Sequence, residues 1–406
     1  MASYSENGST LSAISLRFAL ELGMSNAVDR LVCKSTQRAR TSEETGAEER
    51  ELYRIARVWF GVCNLEMFFS LDGGKLPGIT LDTSPRRVRA LLNHPEKTLV
   101  DIRLLSQVEL NIIRTNAYID MANQRSSPIV PNSESILRST VRTTNLELAL
   151  WLDEWTGIIS NDPLPYEKSL ALLNLHIQYE WALITLHLKA LSDSGVENLA
   201  IMNDFQRDMV CTAKDAAVRH LKNLLRASSS PSSPIISPND NTPDQAQPDR
   251  PSAYLTTFKW TMDYVWAKCA YSVLLVLKLA LLLREPPSDL MLLLRDAHKV
   301  LEELKKITVG HISYFQILQT SIEKCENALK EYMSAQQPNA IPNELGNDDL
   351  LEDGAAIGVE DHRSAESDFQ GYAPSEFVFE WDFPGLNLRH MPLSWQDLFI
   401  DLDNVF

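Results

Sequence analysis

The chain has 406 residues and a formal net charge of −16, with 44% hydrophobic and 23% charged residues. This length and composition are those of a globular protein with room for a large buried core. The acidic charge argues against general binding of nucleic acid, because such binding depends on Lys and Arg neutralising phosphates. Any contact with nucleic acid would need a local basic region.

Apolar residues recur at steps of three and four along most of the first 330 residues, which is the pattern of amphipathic α-helices. We expect helices over residues 48–71, 98–124, 145–159, 166–191, 200–226, 254–284, 288–309 and 312–333. Pro286 and Pro287 separate two of these segments, since proline cannot continue a helix interior. Alternating patterns typical of strands are nearly absent, so the predicted fold class is all-α.

Two segments interrupt the helical pattern. Residues 227–253 contain six of the 20 prolines and almost no large apolar residues, so they cannot bury enough surface to offset the entropy of ordering. Residues 343–406 carry 15 acidic residues against two arginines, which is −13 of the net charge. We therefore predict a helical part in 1–226, a disordered linker in 227–253, a helical continuation in 254–334 and a mostly disordered acidic-aromatic tail in 335–406.

Groups that could carry catalysis or hold a metal are scarce in this sequence. It has no phosphate-binding glycine loop, no nucleophile elbow and no H-E-x-x-H pair. Its five cysteines are dispersed without a C-x-x-C pair, which favours reduced thiols in an intracellular protein. His176 and His187 share a predicted helix face but are separated by about 16 Å along the axis, too far to share a metal ion. We interpret both as packed or rim histidines.

Residues 348–352, Asp-Asp-Leu-Leu-Glu, have the D-D-x-x-E form with which helical terpene synthases hold magnesium. They lie in the acidic tail, and the nearest fragment of the companion motif, Asn203-Asp204, lies upstream. We therefore expect no enzyme activity, no cofactor and no metal in this chain. A helical enzyme of the terpene-synthase type, with Asp348 in its metal motif, is the alternative.

No apolar run reaches the roughly 20 residues that a membrane span requires.

Basic residues form two short clusters, at positions 30–40 and 85–89. Such clusters serve in nuclear import or in DNA contact. Because both are short, we favour a solvated surface for each of them.

One segment, residues 48–77, is distinctive. Its motif residues are Trp59, Phe60, Glu66, Ser70, Gly74 and Lys75. This order of an aromatic pair, an acidic residue, a serine and a glycine followed by a basic residue resembles the middle homology region of the fungal-specific zinc-cluster transcription regulators. Glu66 stands where the family usually has Asp, and Lys75 where it has Arg. Residues 19–24, with the pair Leu22-Gly23, resemble the preceding helix of the family. We expect the aromatic pair in a core helix that ends at Gly73-Gly74.

The resemblance implies a helical regulatory domain that acts in the nucleus on RNA polymerase II genes. The family's defining module is a six-cysteine cluster that holds two zinc ions and places a helix in the DNA major groove. These 406 residues contain no such cluster. We therefore expect zinc only in a cluster missing from this chain, and DNA binding only if such a cluster is supplied upstream. The resemblance leaves room for a small-molecule effector and for a homodimer.

The tail alternates aromatic residues with acids, which is typical of amphipathic activation segments. The candidate activation residues are Trp381, Phe383, Trp395, Leu398, Phe399 and Leu402. The last four recur at helical steps and share one face, which we expect to dock in a groove of a coactivator protein. A tail that folds back onto the body, and a helical scaffold without a transcriptional role, are the alternatives.

Overall fold

A computed structural model describes residues 2–41, 46–72, 74–81, 85–125, 133–161, 168–194, 202–226 and 285–307, together with single positions between 272 and 283 and at 323 and 326. Every regular element in these residues is a helix, which confirms the predicted all-α class. The predicted linker 227–253, the segment 254–271, most of 312–333 and the tail 335–406 lie outside the described residues.

The helices, in chain order, have the following bounds. They are α1 (Ala2–Glu21), α2 (Asn26–Thr41), α3 (Ala47–Asp72), a 3₁₀ helix (Pro85–Asn93), α4 (Leu99–Arg125), α5 (Ser133–Asn161), α6 (Lys168–Asp193), α7 (Asp204–Leu224) and α8 (Pro287–Ile307). The positions described between 272 and 280 are also helical.

The predicted segments agree with α3, α4, α6, α7 and α8 to within a few residues. Helix α5 differs, because it begins at Ser133, well before the predicted start at Asn145. Its added turns bury Leu137 and Val141. Helix α2 also lies outside the predicted segments, and of α1 only the end at residues 19–24 is expected, from the resemblance. Helix α1 has apolar residues on more than one face, and α2 is amphipathic but has few apolar residues, so its apolar side is short.

Helix α3 ends as the sequence predicts. Asp72 is its last residue, and Gly74 has a φ of +69°, a conformation that favours glycine. The Lys75 N–H donates to the Ser70 carbonyl at 2.9 Å, and the Gly74 N–H donates to the Leu71 carbonyl at 3.0 Å. These two bonds form a Schellman C-cap. Gly73 lies outside the described residues.

Helix α1 ends with the same motif. Gly23 has a φ of +68°, its N–H donates to the Leu20 carbonyl, and the Met24 N–H donates to the Ala19 carbonyl, both at 3.0 Å. The Leu-Gly pair of the sequence therefore marks a true helix end, because glycine adopts this backbone conformation without a steric penalty.

The core is built around α4 and α6. Helix α4 packs against α3, α5, α6 and the 3₁₀ helix, and α6 packs against α4, α5 and α7. Helices α1 and α2 pack on α3, and α8 packs on α7. Large side chains fill the interior, and the bulkiest fully buried ones are Trp151, Trp155, Trp181, Tyr53, Tyr118 and Phe205. Residues 180–188 of α6 are buried without a break, because other helices surround this segment.

Within the described residues, no helix combines the length and the apolar character that crossing a membrane would require.

Candidate functional site

The family-like motif occupies the second half of α3 and its exit. Trp59 and Phe60 are buried in the core, as the sequence predicts. Glu66 is buried and Ser70 is partly buried, whereas Lys75 is exposed on the loop. The motif therefore has an apolar part that faces the core and a polar part that faces the exit of the helix.

Glu66 connects α3 to the loop that follows it. Its Oε1 atom accepts a hydrogen bond from the Ser70 hydroxyl at 3.0 Å and another from the Gly78 backbone N–H at 2.8 Å. A Cβ atom on Gly78 would lie 3.3 Å from the same oxygen, so the loop approaches the carboxylate closely. Glu66 and Ser70 thus form one hydrogen-bonded unit that fixes the path of the loop.

Cys63 lies one turn before Glu66 on α3 and is fully buried. Burial, and secondly the Glu66 carboxylate, raise the pKa of the Cys63 thiol to about 12. A thiol with this pKa is protonated at neutral pH, and only the thiolate is a nucleophile or a metal ligand. Cys63 is therefore a packing residue of the motif rather than a reactive group.

A buried ion pair lies at the end of α3. The Arg114 Nη2 atom of α4 donates to Asp72 Oδ1 at 2.6 Å, and the two side chains are 3% and 1% exposed. The Trp181 indole N–H of α6 donates to the same carboxylate oxygen at 3.0 Å. One carboxylate therefore joins α3, α4 and α6.

Amide and hydroxyl groups extend this polar cluster through the core. Arg114 also donates to Asn111 Oδ1 at 3.0 Å and to Thr185 Oγ1 at 3.1 Å. Asn111 then donates to Asn64 at 2.9 Å, and Asn64 donates to Gln107 at 3.1 Å. Such a network holds three helices in one register, because each buried polar group needs its partner.

Asp72 and Arg114 were not predicted from the sequence as site residues. The available signals were an arginine inside the apolar pattern of α4 and an aspartate directly before two glycines. The arginine is the stronger signal, because a charged residue is almost never fully buried unless it is paired, whereas an aspartate before glycine is common in turns.

The sequence predicts a solvated surface for the basic cluster at 85–89. For Arg89 this prediction is wrong. Arg89 donates to both carboxylate oxygens of Glu109, at 2.8 and 2.6 Å, and lies 2.6 Å from Glu154. Its guanidinium also covers the Trp155 ring, 5.3 Å from the ring centre. Arg89 therefore packs against α4 and α5. The sequence does not show this, because Glu109 and Glu154 come close to Arg89 only in the folded chain.

The cluster at 30–40 lies on α2. Arg30 and Lys34 bind the Glu48 carboxylate at 3.1 and 2.7 Å, and all three side chains are substantially exposed. These contacts lower the pKa of Glu48, with Lys34 as the main cause. The predicted solvated surface is confirmed for Arg30 and Lys34, whose charges are matched by Glu48.

The two histidines of α6 have the packing roles that the sequence predicts. His187 is buried, its Nδ1 atom lies 2.7 Å from the Leu183 carbonyl, and its Nε2 atom lies 3.2 Å from the Asn145 amide. The carbonyl makes Nδ1 the donor, so Nε2 of the neutral ring accepts from Asn145. Burial lowers the pKa of His187 below its ordinary value. His176 is partly buried, as a rim residue is.

The Asn203-Asp204 pair begins α7. The Asn203 side chain accepts from the Gln206 N–H at 2.8 Å, and the Gln206 side chain accepts from the Asn203 N–H at 3.1 Å. This reciprocal pair is a capping box. The fragment nearest to a magnesium motif in the sequence thus has a structural role at a helix start.

Across the residues that the structure describes, no cluster of three or more His, Cys, Asp or Glu side chains has a metal-binding arrangement. The D-D-x-x-E segment at 348–352 lies outside those residues. The six candidate activation residues, Trp381, Phe383, Trp395, Leu398, Phe399 and Leu402, lie outside them as well.

Comparisons with protein-family models, with curated proteins and with solved structures found no match to this chain. The interpretation of the motif on α3 therefore depends on the residues and contacts of this chain itself. Those contacts are the Glu66–Ser70–Gly78 unit and the adjoining Asp72–Arg114 pair.

Proposed function

We propose that this chain is a regulator of RNA polymerase II transcription that acts in the nucleus, with a helical regulatory core and an acidic activation tail. The observation that carries the proposal is the physical connection of the motif residues at the exit of α3. Glu66, Ser70 and the loop at Gly78 make one partly buried hydrogen-bonded unit.

This connection supports the resemblance because core packing does not require it. Any amphipathic helix would place Trp59 and Phe60 in the interior. Packing alone does not call for a buried carboxylate that binds a serine one turn later and a loop N–H beyond the helix end. The polar motif residues Glu66 and Ser70 thus act together to hold the loop after α3.

The tail supports the same proposal through its composition. Its acids repel one another and keep the interleaved aromatic residues in water, so the segment cannot collapse into a core of its own. A helix as short as the one predicted at Trp395–Leu402 is marginal in isolation. Such a segment orders when its apolar face enters the groove of a partner, which here would be a coactivator protein.

The described side chains of the two basic clusters do not favour direct binding of DNA. Arg30, Lys34 and Arg89 all bind carboxylates of the same chain. Basic side chains that are paired in this way displace few counterions from DNA, and counterion release supplies much of the affinity for phosphates. We propose that sequence-specific DNA contact comes from a zinc cluster supplied upstream.

The test is a reporter assay with the full chain, residues 1–406, fused to an unrelated DNA-binding module. The fusion should activate transcription, and a fusion ending at residue 334 should be silent. A matched deletion of residues 227–253 removes a polar segment of the body and should leave activation intact.

Two results would contradict the proposal. One is silence of both the full-chain fusion and a fusion of residues 335–406. The other is a fusion of 1–334 that activates as strongly as the full chain.

A further inference from the structure

His94 lies in the connection between the 3₁₀ helix and α4, where it is only 4% exposed. Its ring stacks on the Tyr53 ring of α3, with 3.9 Å between the ring centres and 8° between the ring planes. The backbone of His94 belongs to the turn, because its carbonyl accepts from the Lys97 N–H at 3.1 Å. His94 therefore attaches residues 94–98, the 94–98 connection, to α3.

The contacts of the His94 ring determine its protonation state. The Glu96 backbone N–H donates to His94 Nδ1 at 3.2 Å. A backbone N–H can only donate, so Nδ1 is an acceptor and the proton of the ring lies on Nε2. In the imidazolium form both ring nitrogens are donors. The observed arrangement thus requires a neutral His94.

Uptake of a proton breaks the bond to Glu96, whichever way the ring turns. A protonated ring in the same orientation would direct its Nδ1–H group at the Glu96 N–H. A half-turn about the Cβ–Cγ bond would keep the ring plane but would place the carbon atom Cδ2 where Nδ1 was. In both arrangements the Glu96 N–H loses its acceptor, which destabilises the closed turn.

The charged groups around the two rings do not compensate for this loss. The Asp101 carboxylate of α4 is paired with Arg57 of α3, with 2.5 Å between Oδ1 and Nε. The Glu96 carboxylate lies 3.7 Å from Arg50 of α3. Each of the two acids is thus matched by an arginine, and Lys97 adds a further positive charge. A proton on His94 would therefore add positive charge to a place with no excess of negative charge.

The Tyr53 ring offers little stabilisation to a protonated His94. The Arg57 guanidinium already lies 5.5 Å from the centre of the Tyr53 ring. A cation on His94 would share this ring with Arg57, and the two cations would repel each other. Burial, and secondly the Asp101 carboxylate, raise the pKa of Tyr53 above its ordinary value, so the phenol is neutral in acid. Histidine is the residue type in this cluster that ordinarily titrates between pH 5 and 8.

We propose that His94 is a pH-sensitive switch, which in its neutral form holds the 94–98 connection against α3 and on uptake of a proton releases it. Release exposes the Tyr53 ring, which is fully buried in the closed arrangement. It also transfers the His94 cation to water, where a charge is well solvated. The opening is local, because α3 and α4 keep their contacts with each other. The inference is independent of the proposed transcriptional role.

The direction of the pH effect follows from these two states. The closed connection excludes the proton, whereas the open connection binds it with the ordinary histidine pKa of about 6.5. The free energy that favours the closed state is therefore fully present above this pH and is lost as the pH falls below it. One proton with this pKa raises the open population about tenfold between pH 7.5 and pH 5.5.

The test is hydrogen exchange at the Glu96 amide of the full chain, read by NMR. The exchange rate is expressed as protection relative to an unstructured peptide at the same pH, which removes the intrinsic effect of pH. The native chain should lose about tenfold of its protection at Glu96 between pH 7.5 and pH 5.5. The variant H187Q, which removes a buried histidine of α6, should show the same loss at Glu96 and little change at amides in the middle of α4.

Two variants of His94 separate the acceptor from the proton. Asparagine places its Oδ1 atom close to the position of Nδ1, so H94N should keep Glu96 protected at both pH values. Phenylalanine keeps a ring on Tyr53 but has no acceptor, so H94F should leave Glu96 weakly protected at both pH values. Neither variant has a titrating group at this position, so both should lose the pH dependence.

Four results would overturn the proposal. The first is equal protection of Glu96 at both pH values in the native chain, and the second is disappearance of the pH effect in H187Q. The third is a loss of protection in H94N as large as that of the native chain, because another group would then bind the proton. The fourth is native protection of Glu96 in H94F. The first two comparisons leave His94 in place, so they decide the question even where a variant at position 94 does not fold.

Discussion

Arg114 and Asp72 form a buried ion pair, with a distance of 2.6 Å between Nη2 and Oδ1. Asp72 is the last residue of α3, and Arg114 lies in the middle of α4. The Trp181 indole of α6 binds the same carboxylate. Contacts among α3, α4 and α6 therefore fix the C-terminal end of α3, next to the last residues of the motif.

Removal of Arg114 should destabilise the protein strongly. The variant R114M leaves the Asp72 carboxylate buried without its cation, which typically costs about 3 to 5 kcal/mol. Denaturation in urea should show this loss as a lower midpoint with an unchanged slope. The control R17M breaks the exposed Arg17–Glu21 pair and should cost less than about 1 kcal/mol. Equal stability of the two variants would contradict the assignment of a buried pair.

Replacement of Trp59 tests the apolar part of the motif. Trp59 is 4% exposed, so W59A should cost about 3 to 5 kcal/mol through lost burial and an unfilled cavity. The neighbouring Val58 is 50% exposed, and V58A should have little effect on Tm. An unchanged Tm in W59A would show that the aromatic pair does not belong to the core.

Glu66 should control the loop after α3. The variant E66A removes the acceptor of the Ser70 hydroxyl and of the Gly78 N–H, and it should cost about 1 to 3 kcal/mol. The amide of Gly78 should exchange with solvent faster than in the native chain, as hydrogen exchange read by NMR would show. The exposed Glu51 on the same helix provides the control E51A. Unchanged exchange at Gly78 in E66A would remove the structural role assigned to the motif.

His187 should make stability depend on pH in a defined direction. Burial lowers its pKa in the folded state, so the unfolded chain binds the proton more readily. The stabilising contribution is fully present above the ordinary pKa of about 6.5 and is lost as the pH falls below it. The free energy of unfolding should therefore decrease from pH 7 towards pH 5, as urea titrations at several pH values would show.

The variant H187Q should have a shallower pH dependence over this range. The matched variant H176Q leaves His187 in place and should keep the slope of the native chain. A slope in H187Q as steep as that of the native chain would show that another group causes it.

The sequence predicts those features of the fold that neighbouring residues determine. The spacing of Trp59 and the following apolar residues predicts α3, and the glycines at 73 and 74 predict its end. The start of α5 is predicted too late, because the burial of Leu137 and Val141 depends on helices that are distant in sequence. Local periodicity contains no information on such contacts.

The polar contacts of the site show the same division. The motif residues Glu66 and Ser70 are one turn apart, and their joint appearance in the sequence suggests a common role. Arg89, by contrast, looks like part of a basic surface cluster until Glu109 and Glu154 are brought to it by folding. Whether a charged residue is solvated or buried depends on partners that other helices, distant in sequence, bring close to it.

The tail is proposed to be the output of the protein, and substitutions on its predicted apolar face test this proposal. The full chain, fused to an unrelated DNA-binding module, is compared with the triple variant W395A/L398A/F399A. This variant removes the apolar face predicted for residues 395–402 and leaves the net charge unchanged. The control L386A/L388A/M391A removes three apolar side chains outside that face.

If the tail docks through this face, the triple variant should lose most of the reporter activity at equal protein level, and the control should keep it. Equal activity of the triple variant and the native chain would contradict the claim that these residues are the activation segment.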